Sequence, residues 1–329
     1  MDTTVKTIKS LGVLCSGGDS PGMNAAVRSV VRTAIGLGMD VFGIYRGYSG
    51  LLEGNVQKLG LASVSNIIQR GGTILDTSRC LEFHTPEIRQ EAAHILFRKH
   101  IDGLVVIGGN GSFTGAMALH REHGIPIVGI PGTIDNDISG TEYTVGFNTA
   151  VQTAVEAVDK IRDTASAHAR TFLVEVMGHR SSNIALQVGI CTGAEHVVLS
   201  NQGVDYEKIV SDIKKGEARG KTSSIIIVAE GEKSGLSYQI KEVLMDQYAI
   251  AVHVCVLGHI QRGGRPTALD RLIASRMGHA AVHALHRGLH LHVTAINKGE
   301  LVMVPLAGCL EDKNEVTGPE LDLISALAI

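Results

Sequence analysis

The 329-residue chain has no apolar run long enough to cross a bilayer, no marked excess of one charge and no closely spaced cysteines. Each absence excludes something. A membrane-spanning helix needs about 20 consecutive apolar residues, so no membrane partner is expected. Thirty basic against thirty-three acidic side chains leave a formal net charge of −3, which provides no basic field for wholesale nucleic-acid binding. The five cysteines, Cys15, Cys80, Cys191, Cys255 and Cys309, form no CxxC, so zinc-ribbon and thioredoxin motifs are absent. No apolar signal region follows the two lysines of the first nine residues, and no tandem repeat or low-complexity linker interrupts the chain. A cytoplasmic protein with reduced thiols is expected. The apolar share of 44% is that of a globular protein, and the length suggests two domains.

Glycine is what the chain has in excess, with 39 residues where an ordinary share is about 7%. Close approach of backbone to a ligand is one reason for such a content. Short apolar runs at 11–15, 40–45, 103–107 and 125–130 read as strands, separated by helices over 22–37, from Thr85-Pro86 to His100, and over 112–123. A long helix over 148–167 leads to a second set of strands at 171–176, 196–199, 224–229 and 251–257, with helices at 206–219 and 236–248. A helix over 268–287 and strands at 293–296 and 301–304 close the pattern. Continuous apolar strands between helices mean parallel sheets covered on both faces.

Ligands of open α/β sheets bind beyond the carboxyl ends of the strands. Here the first strand runs into Ser16-Gly17-Gly18-Asp19-Ser20-Pro21-Gly22, and the strand at 103–107 into Gly108-Gly109-Asn110-Gly111-Ser112 before a helix. Glycine-rich backbone and a helix N-terminus suit phosphate oxygens. Neither segment fits GxxxxGK[ST] or GxGxxG, so a phosphate cradle and plain turns both stay open. The next loop, Pro131-Gly132-Thr133-Ile134-Asp135-Asn136-Asp137, holds two carboxylates two residues apart. That arrangement suits metal binding or proton abstraction, and equally a solvated turn.

Four segments, GGDSPGMNAA at 17–26, PGTIDND at 131–137, VEVMG at 174–178 and GHIQRGG at 258–264, resemble the 6-phosphofructokinase family of the bacterial, ATP-dependent type. The resemblance implies an α/β fold of two Rossmann-like three-layer domains, with mostly parallel sheets and the active site in the cleft between them. Residues 1–146 with 262–311 would bind nucleotide, and 147–261 with 312–329 the sugar phosphate. The activity implied is phosphoryl transfer from MgATP to the 1-hydroxyl of fructose 6-phosphate in glycolysis, giving fructose 1,6-bisphosphate and ADP. Mg²⁺ would be the cofactor, ATP the co-substrate, and the assembly a homotetramer, a dimer of dimers with sites shared between subunits.

Residue by residue, the resemblance makes Asp135 the base for the sugar hydroxyl, with Thr133 close by and Asp137 as supporting carboxylate. Arg79 would bridge the nucleotide phosphate and the transition state. ATP positions fall on Gly18, Tyr48, Arg79, Cys80, Gly109, Asn110, Gly111, Ser112 and Gly115. Sugar-phosphate positions fall on Thr133, Asp135, Asp137, Arg170, Met177, Gly178, Glu230, His253, His259 and Arg262, with Arg170 reaching into a neighbouring subunit. Arginine suits phosphate because its planar fork makes paired, charge-assisted hydrogen bonds. An effector site between subunits would use Arg28, Arg32, Arg162, Glu195, Arg219 and Lys221, and the plain reading is that these charges solvate helix faces. Pyrophosphate-using relatives carry aspartate and lysine where this chain has Gly111 and Gly132, which favours ATP.

The chain departs from the family pattern at four places. Asn110 stands where a magnesium-site aspartate is expected, His253 and His179 replace arginines, and Ser182 replaces a glycine. Two effector positions, Leu61 and Thr222, have lost basic residues. These departures carry the alternative of a low-activity or inactive regulatory paralogue; a pyrophosphate-dependent or other sugar-phosphate kinase is a further alternative. His279, His283, His286 and His290, with His292 beyond, recur at helical spacing; i,i+4 histidines can chelate zinc, but a solvated or packed face is the plainer reading. Cys80 and Cys191 read as packing residues.

Overall fold

The computed structural model describes residues 8–168, 170–200, 202–311 and 318–327. The parts of the expected domain ranges at 1–7, 312–317 and 328–329 lie outside the described residues. Contacts divide the chain into two compact units. One takes the described residues within Met1–Asn148 and Arg262–Lys313, the other those within Thr149–Gln261 and Asn314–Ile329.

The first unit opens with β1 (Ser10–Ser16), α1 (Met23–Gly36), β2 (Asp40–Ile44), α2 (Gly47–Leu52) and β3 (Val56–Leu59). It continues through α3 (Pro86–Arg98), β4 (Gly103–Gly108), α4 (Asn110–His123), β5 (Ile127–Thr133) and β6 (Val145–Gly146). The chain leaves it in the first turn of α5 (Phe147–His168). The second unit then builds β7 (Thr171–Val176), α6 (Asn183–Thr192), β8 (His196–Val198), α7 (Tyr206–Ala218), β9 (Ser224–Ala229), α8 (Leu236–Tyr248) and β10 (Val252–Val256). Back in the first unit come α9 (Ala268–His286), β11 (His292–Asn297), β12 (Glu300–Pro305) and α10 (Leu306–Cys309), and α11 (Gly318–Leu327) belongs to the second.

The first unit's sheet runs β12-β11-β5-β4-β1-β2-β3, with β6 beside β5. Its pairs are parallel except at the two edges, where β3 and β12 run antiparallel to their neighbours. Because strand side chains alternate in direction, Leu11, Val13 and Cys15 of β1 enter one apolar cluster and Leu14 the other. Helices α1 and α9 cover the first face; α3 and α4 cover the second. Both faces are dry, which is why β1 and β4 are buried along their whole length rather than on alternate residues. The second unit's sheet, β10-β7-β9-β8, is wholly parallel.

Several boundaries differ from the sequence expectation for local reasons. Pro86 starts α3 as expected, but the Thr85 hydroxyl at the N-cap position makes no capping hydrogen bond. Helix α4 begins at Asn110 rather than 112, directly from the glycine turn. Helix α6 was not expected: Asn183–Thr192 has no polar face to reveal a helical period.

Candidate active site

Three neighbouring strands, β1, β4 and β5, end on the same side of the first sheet and send out the loops at 16–18, 109–112 and 133–137. With Tyr48, Arg79, Cys80, Leu81, Phe83, His84, Gly115, Gly132 and Arg262 they enclose a cavity of about 340 Å³. The positions Gly18, Tyr48, Arg79, Cys80, Gly109, Asn110, Gly111, Ser112 and Gly115 are thus brought together, along with Thr133, Asp135 and Asp137.

Local bonding fixes each loop. Gly109 occupies the N-cap position of α4, so the unpaired N–H groups of the first turn open beside the loop. The Ser112 hydroxyl donates to Ser16 O at 3.0 Å and ties the β4 turn to the β1 turn. The Tyr48 hydroxyl donates to Ser112 O at 2.8 Å, and its ring stacks on Phe83 with centroids 4.0 Å apart. Burial pushes the Tyr48 phenol well above its ordinary pKa, so it stays a neutral donor. Beneath the first turn, burial pushes the Cys15 thiol up to about 12. That group is packing, with no nucleophilic thiolate.

The acidic loop is equally constrained. The Thr133 hydroxyl accepts from Asp135 N at 3.2 Å, and Thr144 Oγ1 donates to Thr133 O at 2.6 Å. Asn136 holds a left-handed φ of 51° while its side chain donates to Glu142 O and accepts from Thr144 N. Asn110 faces Asp137: its Nδ2 donates to Asp137 Oδ2 at 2.9 Å and to Asp137 O at 3.4 Å. Arg262 also lines this cavity, donating from Nη1 to Asp19 O at 3.2 Å. Its guanidinium lies so close to Gly18 that a Cβ at that position would collide with Nη1.

Such an arrangement can take a polyphosphate on backbone N–H groups and Arg79, stack a flat ring near Tyr48 and Phe83, and offer carboxylates to a proton or cation. Asn110, Asp135 and Asp137 give a hard oxygen donor set. It fits a Mg²⁺ ion that draws its remaining ligands from phosphate and water. Among the described residues no group of three or more His, Cys, Asp or Glu side chains forms a ready-made metal cage. The histidine stripe follows suit: His279 meets His283 edge-on at 4.4 Å on α9, whereas His290 lies past the helix end, against His120.

The second unit gathers a different set at the ends of β7 and β9. Gly178 has φ 150°, and a Cβ there would meet Ser181 O at 2.5 Å, so the turn after Met177 requires glycine. The His179 N–H donates to Glu230 Oε1 at 3.2 Å. Arg180 pairs with Glu232 at 2.7 Å. Ser182 is buried and its hydroxyl accepts from Ser200 N, which gives this departure from the family pattern a structural task. Arg170, His253 and His259 are exposed, and the His253 ring lies 5.2 Å from Phe172.

Of the expected effector residues, Arg28 and Arg32 lie on α1 of the first unit; the other four belong to the second. Three of those four, Arg162, Glu195 and Lys221, make internal contacts. The Arg162 guanidinium donates to Thr192 O at 2.6 Å at the end of α6, and buried Glu195 accepts from Ile225 N at 2.6 Å and pairs with Lys221 at 3.2 Å.

Sequence reasoning missed Leu81, Phe83 and His84 as cavity lining; they sit in a single 3₁₀ turn, Leu81–His84, too short to show a period. It also missed Gln261 and Glu175, buried polar residues whose partners are distant in sequence. Glu175 accepts four hydrogen bonds from Ser234, Gly235 and Ser237 at 2.6–2.9 Å, pinning the start of α8 to the end of β7.

The model of the family described as PFK: Phosphofructokinase matches residues 10–285. A protein named ATP-dependent 6-phosphofructokinase 1 from Thermus thermophilus is 48% identical over 98% of this chain and 100% of its own length. The ATP-dependent 6-phosphofructokinase of Bacillus subtilis is 49% identical over the same shares. Among solved structures, phosphofructokinase from Saccharomyces cerevisiae matches at 36% identity with a TM-score of 0.85, covering 92% of this chain and 45% of the yeast chain. A pyrophosphate-dependent phosphofructokinase from Marinobacter aquaeolei, at 19% identity and a TM-score of 0.81 over 98% of this chain and 92% of its own, shares the fold. The glycine loops, the acidic turn and full-length similarity at this level agree: the chain belongs to the phosphofructokinase family.

Proposed function

We propose that the chain is an ATP-dependent 6-phosphofructokinase, moving the γ-phosphoryl group of MgATP to the 1-hydroxyl of fructose 6-phosphate. The observation that carries this reading is the convergence of Arg79, Thr133 and Asp135 with the glycine loops around one cavity, in a chain whose full-length relatives bear that name. ATP is favoured over pyrophosphate on two grounds. The Tyr48–Phe83 stack offers a flat ring an aromatic wall that a bare pyrophosphate would not use. At Gly132 a Cβ would press on Ile107 and Met23 at about 3 Å, so the lysine of pyrophosphate users would need those side chains to shift.

Asp135 accepts the proton of the sugar 1-hydroxyl as its oxygen attacks the γ-phosphorus. The new O–P bond forms, the bond to the β-bridging oxygen breaks, and ADP carries that electron pair away. Arg79 neutralises charge on the transferring group, and the α4 N-terminus with its glycine turn holds the remaining phosphates. Asn110, with Asp137 beside it, would hold Mg²⁺, which when bound neutralises phosphate charge. Arg170, Met177, Gly178, Glu230, His253, His259 and Arg262 take the sugar phosphate. The active form is a homotetramer in which Arg170 serves a neighbouring subunit's site, and Arg28, Arg32, Arg162, Glu195, Arg219 and Lys221 form an effector site. A second reading, a weakly active regulatory paralogue, is favoured by Asn110 and His253.

A coupled assay with fructose 6-phosphate and either MgATP or pyrophosphate tests the proposal. Turnover with ATP is expected, and Asp135→Asn should lower kcat by a factor of about 10²–10⁴, the usual worth of a positioned base. Silence of the parent with both donors, alongside intact ATP binding, would establish the paralogue instead.

A further inference from the structure

The chain passes from the second unit to the first between Gln261 and Arg262, and from the first to the second between Asn148 and Thr149. Gln261 is fully buried and uses both ends of its amide. Its Oε1 accepts from Met177 N at 2.9 Å, and its Nε2 donates to Ala150 O at 3.4 Å. Met177 is the first residue past β7 and opens the tight turn at Gly178, whose O accepts from Ser181 N at 2.7 Å. The other side of that strand end is held by the backbone, where Glu230 N donates to Val176 O at 3.0 Å. On Gln261's side no strand bond does this work. Strand β10 stops at Val256, its last bond to β7 being Leu257 N to Glu175 O, and the chain then lifts over the end of β7 in a short 3₁₀ turn, Gly258–Gln261. A buried N–H without an acceptor is costly, so the Gln261 amide substitutes for the missing ladder bond.

We propose that Gln261 is a positioning residue for the sugar-phosphate turn: by holding the Met177 N–H and the Ala150 carbonyl at once, it fixes where Met177 and Gly178 present themselves to the sugar phosphate. The role rests on the kinase reading, because only that reading makes the turn a ligand contact. It requires a group that accepts at one end and donates at the other. Glutamine does this at any pH. A glutamate does it only when protonated, since an ionised carboxylate would set lone pairs against the Ala150 carbonyl and bury a charge.

Two variants test this. Gln261→Met removes both bonds with little change of volume, and Gln261→Glu makes them depend on pH. Fructose 6-phosphate and MgATP kinetics are read for each beside the parent, with the melting temperature as a check on folding and calorimetric binding of fructose 6-phosphate as a second readout. Gln261→Met should raise KM for fructose 6-phosphate about tenfold, the scale of one buried amide left without its acceptor, with kcat and the KM for ATP within about twofold of the parent. Gln261→Glu should approach parental KM near about pH 6 and lose it by about pH 8.5, where a buried glutamate ionises. Equal loss in kcat and both KM values, no loss at all, or a Gln261→Glu to parent ratio flat with pH would overturn the role while leaving the kinase reading intact. A parent without turnover would overturn the kinase reading; calorimetry then decides the turn, and absent sugar-phosphate binding removes the role as well.

Discussion

Asn110 shows how one residue changes what a site needs. Its amide donates to the Asp137 carboxylate at 2.9 Å, so the acidic turn is held without help from a cation. An aspartate at 110 would set a second carboxylate against the first, and like charges at that distance repel unless a cation intervenes. The substitution Asn110→Asp is therefore expected to make the protein more dependent on Mg²⁺ rather than simply more active. Its melting temperature without divalent cation should fall below the parent's and recover as Mg²⁺ is added, and turnover should require more Mg²⁺ for half-saturation. A variant as stable as the parent in chelator would show that the amide–carboxylate bond contributes nothing. The residues of this loop could be named from the sequence only through the family resemblance, because paired acids at a strand end suit a solvated turn equally well. The hydrogen bond to Asp137 was not legible, since the two residues are 27 positions apart and only the adjacency of β4 and β5 brings them together.

At the scale of elements, the long apolar strands and the helices with a polar face could be read, because burial on two faces or on one imposes different periods on the sequence. The elements that escaped are those with neither signature. Helix α2 carries two glycines in six residues, β3 is a four-residue edge strand, and α6 is apolar nearly all round. Helix α9 was readable, and packing gives the histidines on and just beyond it a physical role. Burial, with neighbouring cations of which His279 comes next in weight, pulls the His283 pKa below 6.5; burial beside His120 and His292 does the same to His290. A histidine held neutral in the folded protein binds fewer protons there than in the unfolded chain, so its contribution is full above the unfolded value and is lost as the pH falls below it. Stability should therefore decline as the pH drops through 6.5, and His283→Gln should make that decline shallower. Melting curves of parent and variant across this range decide it: parallel pH profiles would mean that His283 is as easily protonated folded as unfolded.

At the scale of the whole molecule, the two sheets differ in what they offer. The eight-stranded sheet ends in the cavity with its carboxylates and glycine loops, while the four-stranded sheet ends in Met177, Gly178 and Glu230. Arg170, just before β7, is exposed in the single chain, and a guanidinium standing in water has no fixed target until another surface supplies one. If it completes a neighbour's site, the requirement for assembly becomes measurable without resolving the assembly itself. Asp135→Ala and Arg170→Ala should each abolish most turnover when prepared alone. Co-expressed and assembled at random, they should regain activity, because one site in a mixed pair draws its aspartate from one subunit and its arginine from the other. About a quarter of all sites would then be intact, as expected for an isologous pair with one shared residue in each direction. Activity that stays at the level of the separate variants, with mixed assemblies demonstrated by differently tagged subunits, would mean that Asp135 and Arg170 serve the same chain, and that each subunit completes its own site.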